Sequence, residues 1–144
     1  MSHPRRSASL LLVSLVLSLA ACGAASGQVV RVGTEVEPGV VYLGHRLVSF
    51  RVERDVIDIG RYEGRFSSLR VRVKDAPLEM FDIRVQFANG EVWSPETRLF
   101  FGQGEWSRRI DLPGDNRAIR RIEFVYKSAA PRAGKAHVQV FGVR

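Results

Sequence analysis

Apolar residues recur at every second position through most of the chain beyond Val29. Leu69, Val71 and Val73 alternate with Arg70, Arg72 and Lys74, and Ile83, Val85 and Phe87 alternate with Asp82, Arg84 and Gln86. Ile122, Phe124 and Tyr126 alternate with Arg121, Glu123 and Val125, and Val138 and Val140 with His137, Gln139 and Phe141. A period of two puts one face of a strand in a core and the other toward water. Turn-forming residues separate the runs: Glu37-Pro38-Gly39, Asn89-Gly90, Gly102-Gln103-Gly104, Pro113-Gly114-Asp115-Asn116, and Ala130 to Gly134. Asn89-Gly90 is a hairpin signal, because both residue types tolerate positive φ. Arg117 to Lys127 is long enough for a helix, but its β-branched and aromatic residues predict a strand. The pattern therefore predicts an all-β chain, a single antiparallel β-sandwich of jelly-roll or Ig-like size with about eight or nine short strands.

The beginning of the chain breaks this pattern. Arg5 and Arg6 precede an apolar stretch from Leu10 to Ala20, interrupted only by Ser14 and Ser18, and small residues follow. That is the tripartite form of a secretory signal peptide. The apolar stretch is about half of the ~20 residues that a spanning helix needs. The boundary Leu19-Ala20-Ala21-Cys22 resembles the bacterial lipoprotein lipobox. The resemblance implies lipidation of Cys22, cleavage before it and acylation, typically with palmitate, of the new N-terminus. Acyl chains gain roughly 0.8 kcal/mol per buried CH₂, and two or more hold a soluble domain on a membrane. Gly23 after the cysteine, rather than Asp, implies by the same resemblance an outer-membrane address facing the periplasm. The alternative is ordinary cleavage a few residues downstream, giving a plainly secreted or periplasmic protein. The expected organisation is a signal over 1–21, a flexible tether over 22–28 and a β-sandwich domain over 29–144.

Cys22 is the one cysteine of the 144 residues, so the domain is expected to stand without a disulfide. Arg5 and Arg6 account for two of the formal +7 charges, leaving +5 on the mature part. Such a charge suits acidic head groups or an anionic polysaccharide. For an exported domain, nucleic acid is not an expected partner.

From Gly60 onward, Gly64-Arg65-Phe66 leads into a basic strand, and a second strand ends in Phe87-Ala88-Asn89-Gly90. Ile110-Asp111-Leu112-Pro113-Gly114 and the segment Arg117 to Ile122 follow, then a last strand into Gly142. This order is similar to that of small uncharacterised exported bacterial β-sandwich proteins. The resemblance implies a fold and brings no catalytic residues.

Candidate chemistry is sparse. His45 reads as a loop or strand-end residue and His137 as a solvent-facing strand residue. Neither has the neighbouring ligands that a zinc site requires. Gly102-Gln103-Gly104 begins like a phosphate loop, but no helix follows, and it is expected to be a hairpin loop. Asp55 and Asp58, with Glu63 nearby, are weak calcium candidates and the only carboxylates that suggest a small hydrolase. Arg70, Arg72 and Lys74 share one strand face. If the strand carrying Arg84 lies beside it, a positive stripe crosses the sheet. Trp93 and Trp106 flank turns and can stack on sugar rings, although most aromatics in a domain of this size are core. No metal or other cofactor is implied. The expected function is a non-catalytic envelope module, lipid-anchored to a membrane, that binds an envelope protein or an anionic glycan.

Overall fold

The computed structural model describes residues 31–49, 51–60, 64–96 and 98–144. The signal, the lipidation candidate Cys22, the tether and Glu63 lie outside the described residues. Eleven strands occur among the described residues. They are β1 (Glu35–Glu37), β2 (Val40–Val48), β3 (Glu53–Asp58), β4 (Arg65–Phe66), β5 (Ser68–Lys74), β6 (Leu78–Phe87), β7 (Val92–Trp93), β8 (Leu99–Phe101), β9 (Ile110–Asp111), β10 (Arg117–Ser128) and β11 (Ala136–Val143). Three of them, β4, β7 and β9, are two-residue pairings too short to leave a periodic signature in sequence. No helix among the described residues is long and apolar enough to cross a membrane.

The strands form two antiparallel sheets packed as a β-sandwich. One has the order β1-β2-β11-β5-β9. The other has the order β3-β10-β6-β7, with β4 also on β10 and β8 also on β6. The alternating apolar residues face inward, as the period requires: Val41, Leu43, Leu69, Val71, Val138 and Val140 from the first sheet meet Ile83, Val85, Ile122, Phe124 and Tyr126 from the second. Arg117–Ser128 is a strand along its whole length and forms the spine of the second sheet, pairing with β3 on one side and β6 on the other. Asn89-Gly90 turns β6 into β7, with Gly90 at φ 90° and the Phe87 N–H donating to the Glu91 carbonyl at 2.9 Å.

Two expectations are corrected here. After Lys74 the chain turns at Asp75, which has φ 72°, and crosses to the other layer. Strands β5 and β6 are therefore in opposite sheets, and Arg84 is not beside Arg70, Arg72 and Lys74. Gly102-Gln103-Gly104 is not a hairpin within one sheet. It carries the chain from β8 in the second sheet to the edge of β5 in the first, where the Gly104 N–H donates to the Val73 carbonyl at 2.8 Å.

Strand β2 departs from strict alternation. Val140 of β11 faces Gly44, and the next residue, Phe141, faces Tyr42, so Leu43 is the extra residue of a bulge. Gly44 adopts φ +145°, and a Cβ there would lie 2.9 Å from Cγ2 of the buried Ile57. A bulge shifts the phase of a strand by one residue. Leu43 and Gly44 both turn inward as a result, and Tyr42 and His45 both turn outward. His45 thus sits within β2 rather than at its end, because the glycine lets the strand continue through the bulge.

Candidate binding face

The three longest strands of the first sheet, β2, β11 and β5, present their outward residues in register. Tyr42, Phe141 and Arg70 form one row across the sheet. His45, Gln139 and Arg72 form the next, and Leu47, His137 and Lys74 the one beyond. A sandwich surface ordinarily offers polar side chains here, yet Val40, Tyr42 and Phe141 make a second small apolar cluster.

Trp106 covers that cluster. The segment leaving the Gly102–Gly104 turn runs antiparallel along β5 and makes a bridge between Trp106 and Arg72. The Ser107 N–H donates to the Val71 carbonyl at 2.7 Å, and the Ser107 hydroxyl accepts from the Val71 N–H at 2.9 Å. Anchored in this way, the indole packs on Phe141 with ring centroids 4.8 Å apart, and Phe141 packs on Tyr42 at 5.5 Å. The guanidinium groups of Arg70 and Arg72 lie 4.6 and 5.2 Å from the Trp106 ring centre. Aromatic faces attract cations at such distances, by about 0.5–1 kcal/mol at exposed sites. Among the described residues, no carboxylate pairs with Arg70, Arg72 or Lys74. Their charge is positioned by the indole and by the sheet without being neutralised.

The imidazoles complete the face. The Tyr42 hydroxyl lies 2.7 Å from Nδ1 of His45, and burial raises the pKa of that phenol. His137 Nδ1 lies 2.6 Å from Asp75 Oδ2. The face therefore combines a partly exposed indole, cations without a carboxylate partner among the described residues, and hydrogen-bonding groups, a set suited to acidic, hydroxyl-rich ligands.

Other candidates lie elsewhere. Arg84 pairs with Asp82 at 3.1 Å on the outer face of the second sheet. Trp93 is half-buried against the main core. Asp55 accepts a hydrogen bond from the buried Tyr126 hydroxyl, whereas Asp58 is exposed and pairs with Arg121 at 2.8 Å. The two carboxylates thus have separate partners and do not meet. Asp58 does line a cavity of about 580 Å³ with Ile119, Arg120 and Arg121, but among the described residues no second carboxylate lines it with Asp58. No group of three or more His, Cys, Asp or Glu among the described residues is arranged to hold a metal ion. Arg117 stacks over Phe87 at 3.7 Å and pairs with Glu91 at 2.5 Å.

Sequence reasoning missed Tyr42, His45 and His137 as members of one surface. Strict alternation puts residues 42 and 45 on opposite faces. The available signal was Gly44 inside an apolar run, since an isolated strand glycine often marks a bulge.

The chain belongs to a family described as a domain of unknown function (DUF2541), whose model matches residues 10–142. No curated protein matches it. A solved structure of AlgX from Pseudomonas aeruginosa is similar at 13% identity, with a TM-score of 0.39. The similarity covers 69% of this chain, which spans only 26% of that one.

Proposed function

We propose that this chain is a non-catalytic module of the bacterial cell envelope that binds an anionic glycan on the outer face of β2, β11 and β5. The supporting observation is the pair of arginines, Arg70 and Arg72, stacked on Trp106 without a carboxylate partner. An exposed arginine whose only role is solubility is commonly matched with a nearby acid, as Arg84 is with Asp82. Guanidinium groups held on an indole are pre-oriented for carboxylate or sulfate, and less freedom is lost when the ligand arrives. The partly exposed Trp106 indole supplies contact for the apolar side of a sugar ring.

The module is exported and held at the membrane by lipid on Cys22, which the lipobox resemblance supports. The outer membrane, facing the periplasm, is its proposed address.

Calorimetric titration of the protein with oligogalacturonate tests the binding reading. Arg70→Glu/Arg72→Glu should abolish the heat of binding, and Arg84→Glu should leave it unchanged. Binding that survives the double reversal would refute this face as the site.

A further inference from the structure

The sheet register surrounds one amide with basic side chains. Gln139 on β11 pairs with His45 on one side and Arg72 on the other, and in the adjacent row His137 lies between Leu47 and Lys74. Neighbouring strands are about 4.8 Å apart and successive same-face residues about 6.8 Å, so these groups bound a patch of about 10 by 7 Å. That is close to the footprint of one sugar ring with its acidic substituent. The two imidazoles meet edge to face, with centroids 6.0 Å apart. Nδ1 of His45 is engaged by Tyr42 and Nδ1 of His137 by Asp75, so the unengaged ring nitrogen of each is Nε2.

We infer that His45 and His137 make this patch a proton-gated anion seat, whose hold on an acidic glycan strengthens as the pH falls. The inference rests on the glycan reading above and adds its regulation and the residues responsible. Histidine is the side chain that changes charge between about pH 5 and 8. Arg72 and Lys74 supply two fixed charges from β5, and the imidazoles add up to two more on protonation. The other groups facing the pair do not supply this change. The Tyr42 phenol stays neutral, since burial raises its pKa further. Asp75, from the connection between β5 and β6, is bonded to His137 and offsets part of its charge. Arg46 donates to the His45 carbonyl at 2.9 Å. The sign follows directly: proton uptake makes the seat more positive and favours the anion, and by linkage a bound anion promotes proton uptake. Carboxylated and sulfated sugars share the required chemistry.

The test uses the full chain in detergent, titrated with dextran sulfate oligosaccharides, whose own charge is constant between pH 5 and 8. At fixed ionic strength the affinity should rise about three- to tenfold from pH 8 to pH 5, the effect of one or two exposed charge pairs. Repeating the titration in buffers of different ionisation enthalpy should show proton uptake on binding between about pH 5 and 8. His45→Gln/His137→Gln should still bind, with an affinity that no longer changes with pH. A pH-independent affinity in the unaltered protein, or the same slope in the double variant, overturns the gating and leaves the glycan reading standing. Binding of oligogalacturonate but not of dextran sulfate at any pH also overturns the gating. Binding of neither overturns both readings.

Discussion

Gly142 lies on β11, facing inward between Val41 of β2 and Leu69 of β5, directly beneath the ring of Phe66. A Cβ at this position would meet Cδ1 of that ring and lie 2.6 and 2.7 Å from Cε1 and Cγ. Carbon atoms pack best at about 3.5–4.0 Å, so Gly142→Ala demands that the ring or the strand move by about 1 Å. Phe66 has no room to retreat, because it is fully buried and its backbone is paired with β10 of the opposite sheet. Overpacking of this kind costs typically 1–3 kcal/mol, and the lack of slack puts the expected loss near the upper end, about 3 kcal/mol. Urea unfolding followed by the fluorescence of Trp93 and Trp106 measures it. Phe66→Ala alone should cost about 3–5 kcal/mol through the cavity it opens. Adding Gly142→Ala to that background should cost less than about 0.5 kcal/mol, because the new methyl enters vacated space. Equal costs in the two backgrounds would refute the contact as the reason for the glycine.

Other predictions concern separate parts of the molecule. Gly44→Ala combines an unfavourable φ with a contact against Ile57 and should destabilise by about 2–4 kcal/mol; it should also part Tyr42 from His45, visible as a changed His45 imidazole nitrogen shift in NMR. Burial, and next the hydrogen bond to Asp55, push the Tyr126 phenol far above its ordinary pKa. Its neutral form is favoured in the folded state, so this contribution is complete below about pH 10 and declines above it, as unfolding becomes coupled to ionisation. Tyr126→Phe should therefore narrow the fall in urea midpoint between pH 8 and pH 11, while costing about 1–3 kcal/mol at pH 7 by leaving the part-buried Asp55 carboxylate without its donor. Cys22→Ala should give an unprocessed or mislocalised precursor that takes up no labelled palmitate; unchanged processing and membrane retention would contradict lipidation.

The fold was legible where a strand has one wet face. Leu69 to Lys74 and Ile122 to Tyr126 declare themselves because burial on one side forces alternation. What period cannot reveal is which strands are neighbours. Arg84 falls beside Arg72 only if consecutive strands pair, whereas the turn at Asp75 sends β6 to the other layer. The candidate face was half legible for a related reason. Arg70, Arg72 and Lys74 follow from alternation, and Trp106 was visible as an aromatic near a turn. Their meeting depends on a segment that pairs with β5 from 36 residues away, through the Ser107 hydroxyl and the Val71 N–H. The outward facing of His45 was hidden by a one-residue phase shift at Leu43, which reverses the expected facing of every later residue in β2.

The position of β11 has a consequence for how the molecule comes into being. It is the last of the described strands in sequence, yet it lies between β2 and β5 and joins them. While a chain of this topology is being synthesised, its first sheet exists as two separate halves. The tyrosine and histidine of β2 and the arginines of β5 then have no common surface. Contacts between such distant segments are entropically expensive and form slowly. The domain therefore stays incomplete until residues 136–143 arrive, and the candidate face is assembled in the same step that closes the sheet. In a molecule of this design the outward row of Tyr42, Phe141 and Arg70 exists only once the closing strand has docked.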